Sequence, residues 1–120
     1  MQESGAYTDA EGDQIDGSDG LNDNILGASG DDQIDAGLGN DTVDGGDGDD
    51  TFVLSGSFGT DLIVGGEAGE TLGDTLNASS QTTALTVSFS GAEAGTLTGS
   101  SGSATFSQIE NIRLGAGNDT

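Results

Sequence analysis

Residues 27–53 read GASGDDQID, AGLGNDTVD and GGDGDDTFV, three consecutive blocks of nine. Aligned on Asp-x-apolar, they place Asp32, Asp41 and Asp50 at position 6 and Ile34, Val43 and Phe52 at position 8. The third block fits GGxGxDxUx throughout, where U is a bulky apolar residue. Upstream, Asp23 with Ile25 keeps the nine-residue step, and Asp13 with Ile15 sits ten residues earlier. Downstream, Asp61 with Ile63 follows at eleven residues and Asp74 with Leu76 at thirteen, so the array frays around a regular centre.

The spacing carries its own physics. Glycines at positions 1, 2 and 4 permit a tight six-residue turn whose carbonyl oxygens point inward without a Cβ in the way. The remaining three residues make a minimal strand with one side chain facing the interior. Two such units close a coil of eighteen residues, and turns two repeats apart then stack at roughly the 4.8 Å strand spacing. Two carboxylates at that distance repel by about 0.9 kcal/mol in water and about 3.5 kcal/mol at an effective dielectric of 20. A hard cation with six or more oxygen ligands turns the repulsion into attraction. Carboxylate and carbonyl oxygens, without nitrogen or sulfur, select calcium over zinc.

Composition makes the same demand. The chain has 120 residues, room for one domain, with 31% hydrophobic and 4% aromatic residues and 23 glycines. Against 22 Asp and Glu stands one basic residue, Arg113, for a formal net charge of −21. Such a chain is expected to stay disordered unless positive charge is brought to it. The imbalance excludes nucleic acid and anionic membrane surfaces as partners. Cysteine and histidine are absent, which removes disulfides, thiolate metal sites, zinc sites and histidine-based catalysis. No Lys follows the glycine runs, so they are not phosphate cradles, and no base is available to activate a serine. Residues 1–10 lack the basic start and apolar run of a secretory leader.

The blocks resemble the RTX nonapeptides of bacterial exoproteins, over about residues 8–77 with a partial copy, GAGNDT, at 115–120. The resemblance implies an all-β fold, a right-handed parallel β-roll, with calcium held between turns of successive coils. One edge would stack Asp13, Asp32, Asp50 and Asp74, and the opposite edge Asp23, Asp41 and Asp61. The leading site would join Asp32 and Asp50 with the carbonyls of Ala28, Gly30, Gly45 and Asp47. The same assignment gives Gly37, Gly39, Gly46 and Gly48 as carbonyl donors at positions 2 and 4 of the following repeats. Three to five calcium ions are expected. Ala28 and Ala36 stand in for glycines, and Glu11 and Leu21 occupy position 4, so the first two turns are expected to be distorted. Residues around Ser57 and Phe58 would bulge one turn, and the insertion Glu67–Gly73 brings Glu67 and Glu70 near another.

Other residues get plainer readings. Asp16, Asp35 and Asp44 at position 9 face outward and solvate the surface. Asn22, Asp31, Asn40 and Asp49 at position 5 shape the turn. Glu93 and Glu110 are not a glycosidase pair, since no aromatic residues surround them to hold a sugar. After Ala78 the acidic residues thin out, and ALTVSFS (84–90) alternates as a strand with Leu85, Val87 and Phe89 on one face. Residues 95–98 and 104–109 predict two further strands joined by a Gly/Ser turn. This segment, 78–114, would extend or cap the apolar interior, which a solenoid end otherwise exposes.

The resulting expectation is a non-enzymatic calcium-binding module, secreted or at the cell surface. It would fold when calcium is met outside the cell and be part of, or derived from, a type I-secreted bacterial protein. Partners besides calcium would be copies of itself stacked head to tail in a surface layer or filament, or the rest of a larger exoprotein. An accessory module of a secreted enzyme is a further alternative. Ice binding would need a flat threonine array, which residues 9–53 lack.

Overall fold

Glycine-rich turns every nine residues leave only three residues for each strand, and the structure is built from such strands. A computed structural model describes residues 6–8, 14–16, 22, 24–27, 29–35, 37–54, 58–66, 68–69, 71–100, 102–117 and 119, with backbone alone for the first two segments. The strands are β1 (Ala6–Thr8), β2 (Gln14–Asp16), β3 (Asn24–Leu26), β4 (Gln33–Asp35), β5 (Thr42–Asp44) and β6 (Thr51–Val53). They continue with β7 (Gly59–Val64), β8 (Thr75–Asn77), β9 (Thr86–Phe89), β10 (Gly95–Gly99), β11 (Gly102–Ser107) and β12 (Asn111–Arg113). The described residues contain no helix, so none is long and apolar enough to cross a membrane.

Odd and even strands separate into two sheets. One runs β1-β3-β5-β7-β11-β10-β9 and the other β12-β8-β6-β4-β2. Repeat strands pair in parallel with the strand one coil away, the all-β parallel roll that the period of nine calls for. Register stacks the central side chains into two apolar columns: Ile25, Val43, Ile63 and Phe106 on one sheet, Ile34, Phe52, Leu76 and Ile112 on the other. All but Ile112 are buried, and Ile112 is partly so. Flanking residues face outward, so a one-residue slip would expose every core side chain at once.

The segment after Ala78 joins this core. β11 lies parallel to β7, and β10 and β9 follow as an antiparallel meander, which puts Leu85, Leu97, Ala104 and Phe106 in the interior. The three expected strands are present, with β11 at Gly102–Ser107 rather than 104–109. The inward face of β9 fades along its length. Leu85, just before the strand, is buried, Val87 is partly covered, and Phe89 is 61% exposed. The Phe89 ring still meets Phe106 edge to face, centroids 6.0 Å apart. A bulged turn was expected around Ser57 and Phe58; Ser57 lies outside the described residues, and Phe58 is buried in the core with Leu54, where it adds apolar contact.

Phe52→Ala is expected to cost about 3–5 kcal/mol by emptying the column between Ile34 and Leu76. Leu72→Ala, at a residue 80% exposed, should stay within about 0.5 kcal/mol. Urea denaturation of both variants in saturating calcium checks the difference.

Candidate metal centre

Two turn edges connect the sheets. On the first, turns 27–32, 45–50 and 65–74 enter β4, β6 and β8; on the second, turns leading to Asp41 and Asp61 enter β5 and β7. Parallel register brings Asp32, Asp50 and Asp74 into one column and Asp41 and Asp61 into the other. All five are at most 3% exposed. Asp13, Asp23, Ala28, Glu67 and Glu70 lie outside the described residues.

Three of the carboxylates, those of Asp50, Asp61 and Asp74, are fixed from the neighbouring coil. The Asp32 N–H donates to Asp50 Oδ1 at 2.8 Å, the Asp50 N–H to Asp74 Oδ1 at 2.7 Å, and the Asp41 N–H to Asp61 Oδ1 at 2.9 Å. One oxygen of each of these three is thereby spent on the stack, and the Oδ2 atoms of Asp50 and Asp74 lie against Gly45 and Gly65 in the turns. Asp50 Oδ2 and Asp61 Oδ2 are buried and accept no hydrogen bond. Buried carboxylate oxygens in that position are costly unless a cation meets them.

Carbonyl oxygens converge on the same places. A Cβ built on Gly45 would collide with Asp50 Oδ2 and come within 2.8 Å of the Gly65 carbonyl oxygen. One on Gly27 would strike the Gly45 carbonyl oxygen and lie 2.6 Å from Asp32 Oδ2. At position 1, Gly27 and Gly45 thus leave room beside the carboxylate. Positive φ is needed instead at positions 2 and 4, at Gly37 and Gly46 and at Gly30, Gly39 and Gly48. The Asp47 carbonyl accepts the Gly30 N–H at 2.8 Å and so also serves the inter-coil ladder, keeping its second lone pair.

Among the described residues no group of three or more His, Cys, Asp or Glu side chains converges on one point. The carboxylates come in stacked pairs, and a cage between them has to be completed by backbone carbonyls. An all-oxygen donor set of that kind, with space that a single methyl group would fill, suits calcium and suits neither zinc nor copper.

Electrostatics reflect the crowding. Burial pushes the Asp50 carboxyl up to about 6, with the charges of Asp32, Asp31 and Asp49 adding and the Asp32 N–H opposing. Burial likewise raises Asp61 to about 7, with Asp41 adding and its N–H opposing. Asp49 moves the other way, because the N–H groups of Thr71, Leu72 and Gly73 hold its carboxyl below the usual range.

The position-5 residues do more than shape turns. Asn22 Oδ1 accepts the Asn40 N–H at 2.8 Å, and Asn40 Oδ1 accepts the Thr60 N–H at 3.0 Å. On the other edge Asp31 Oδ1 accepts the Asp49 N–H at 2.9 Å, and Asp49 then takes the N–H groups of Thr71, Leu72 and Gly73. A second ladder thus runs outside the aspartate columns, with side chains reaching forward where position 6 reaches back. The recurrence of Asn or Asp at position 5 signalled it. At position 9 Asp44 is exposed as expected, whereas Asp35 is half-buried with Oδ1 shielded from solvent. Arg113 is exposed.

Parallel coils with stacked, buried carboxylates and inward carbonyls at their turns define a metal-binding β-roll. Residues 18–52 match the family model of the RTX calcium-binding nonapeptide repeat in four copies, and the chain carries that repeat. Calcium binding is the property of these repeats. No curated protein matches the chain.

The raised carboxyls predict a pH response without metal. Folded values near 6 and 7, against 3.8 for the free group, mean that the folded chain holds more protons across that window. Stability is then fully present below about pH 4 and lost as pH rises through 6 and 7. Circular dichroism in chelator should show more β-structure at pH 5 than at pH 8, with a flatter response in an Asp50→Asn, Asp61→Asn double variant. Protons compete with the ion, so calcium affinity should fall on the order of ten-fold from pH 7 to pH 5.

Proposed function

We propose that this chain is a non-catalytic calcium module that folds when it meets calcium in the extracellular medium. It would be part of, or derived from, a bacterial protein exported unfolded by a type I route. The observation that carries this reading is the pair of buried aspartate columns, with Asp50 Oδ2 and Asp61 Oδ2 buried without a hydrogen-bond donor and Gly45 leaving room beside Asp50 Oδ2. Ions would sit between Asp32 and Asp50, between Asp50 and Asp74, and between Asp41 and Asp61, with Gly30, Gly39, Gly45, Gly46, Gly48 and Asp47 offering carbonyls. Sites using Asp13 and Asp23 would bring the total to about three to five. Residues 8–77 would form the calcium roll, 78–114 its extension, and 115–120 the start of a further repeat.

A binding site assembled only in the folded state converts binding energy into folding energy. In a calcium-poor cytosol the charge of −21 would keep the chain extended. Outside, at millimolar calcium, the columns would fill and the coils close.

A second reading follows from the ends of the sheets. Among the described residues β1, β2, β9 and β12 each have a single neighbour, so copies could add head to tail and continue both sheets. Such contacts do not close and make filaments. Sedimentation in calcium separates the two: a monomer at high concentration supports an isolated module, and growing polymers support a surface-layer or matrix subunit.

Calcium titration followed by circular dichroism tests the main reading. The expected midpoint is on the order of 10⁻⁴–10⁻³ M, as in extracellular modules, with little response to equal magnesium. Asp50→Asn should raise the midpoint by roughly ten-fold, about the loss of one charged ligand interaction worth ~1.4 kcal/mol, whereas Asp44→Asn should leave it unchanged. Equal effects of the two substitutions would remove Asp50 from the ligand set.

A further inference from the structure

Thirty-six residues separate Asp74 from Glu110, and no repeat links them, yet Glu110 takes the next place in the first aspartate column. The Asp74 N–H donates to Glu110 Oε2 at 2.6 Å. This is the bond that the Asp32 N–H makes to Asp50 and the Asp50 N–H makes to Asp74. Register agrees, since Asn111 pairs with Thr75 and Ile112 with Leu76, which sets Glu110 beside Asp74.

The carbonyl side of the site is also reproduced. Gly27 faces Asp32 Oδ2 and the Gly45 carbonyl, and Gly45 faces Asp50 Oδ2 and the Gly65 carbonyl. Gly65 in turn faces Asp74 Oδ2 and the carbonyl oxygen of Gln108. Gln108 has a φ of 57°, the one positive φ outside glycine among the described residues. Gln108 thus brings its carbonyl, without a glycine repeat, to where position 1 brings it elsewhere. The opposite edge has no such continuation: Ala104 stands in register with Asp61 and offers no carboxylate.

We infer that Glu110 and the Gln108 carbonyl, with Asp74, form a further calcium site that clamps the β9–β12 segment to the roll. The inference rests on the calcium reading above and extends it beyond the repeats. Its physical content is that the segment after Ala78 acquires calcium-dependent order through one carboxylate that it supplies itself. The longer Glu side chain spans the gap left by a turn that lacks the glycine pattern.

The test is ion counting by isothermal titration on the intact chain, with amide hydrogen exchange in saturating calcium. Glu110→Gln keeps an oxygen to accept the Asp74 N–H and removes the charge. Gly65→Ala places a methyl group between Asp74 Oδ2 and the Gln108 carbonyl. Each variant should bind one calcium ion fewer than wild type, and Glu110→Gln should leave the remaining affinities within two-fold. Exchange at Asn111–Arg113 should accelerate at least ten-fold, while β4–β6 keep their protection. Unchanged stoichiometry in both variants overturns this inference alone, and so does loss of every ion from both. A wild-type chain that binds no calcium overturns the underlying reading and this inference with it.

Discussion

Carboxylates stacked one strand spacing apart repel each other, and this fold stacks them inside the protein. Asp32, Asp50 and Asp74 share one edge and Asp41 and Asp61 the other, all buried. The backbone compensates one oxygen of Asp50, Asp61 and Asp74 by donating an N–H from the neighbouring coil. The second oxygen is left to whatever occupies the turn. Protons can satisfy it at low pH and a divalent cation at neutral pH, and the all-oxygen surroundings favour calcium. The apolar columns contribute one side chain per strand, which is a thin core for a chain with 23 glycines. On the proposed reading, metal binding and apolar burial act together.

The columns survive large changes in coil length. Residues joined across adjacent coils are 18 apart at Asp32 and Asp50, 20 at Asp41 and Asp61, 24 at Asp50 and Asp74, and 36 at Asp74 and Glu110. Additional residues are absorbed in different ways. Phe58 turns into the core, residues 71–73 are pinned on the Asp49 carboxylate, and the longest insertion becomes the β9–β10 meander. The position-6 carboxylate and the strand behind it are what is held constant, as expected if the metal row sets the register.

The regular part of this was legible in the sequence. Asp, two residues before a bulky apolar residue, every nine residues, is enough to give parallel short strands, two sheets and the order of the aspartates along each edge. What was hidden depends on contacts between coils, which a local period does not contain. Glu110 precedes Asn-Ile-Arg and so matches the Asp-x-apolar strand half, but a Glu after Gln108 and Ile109 breaks the glycine pattern that marks a turn. Phe58 reads as an insertion until its neighbours in the next coil are known. The position-5 ladder was visible as a recurrence of Asn and Asp, but its direction, reaching one coil forward, is a property of the stack.

Small-angle scattering of the intact chain at neutral pH, with and without calcium, addresses the dependence on metal most directly. With calcium the radius of gyration should lie near the 12.9 Å of the folded chain. In excess chelator it should expand toward about 35 Å, the value for an unfolded chain of this length. A compact particle of unchanged radius in chelator would mean that the stacked carboxylates are tolerated without a cation, and would contradict the account.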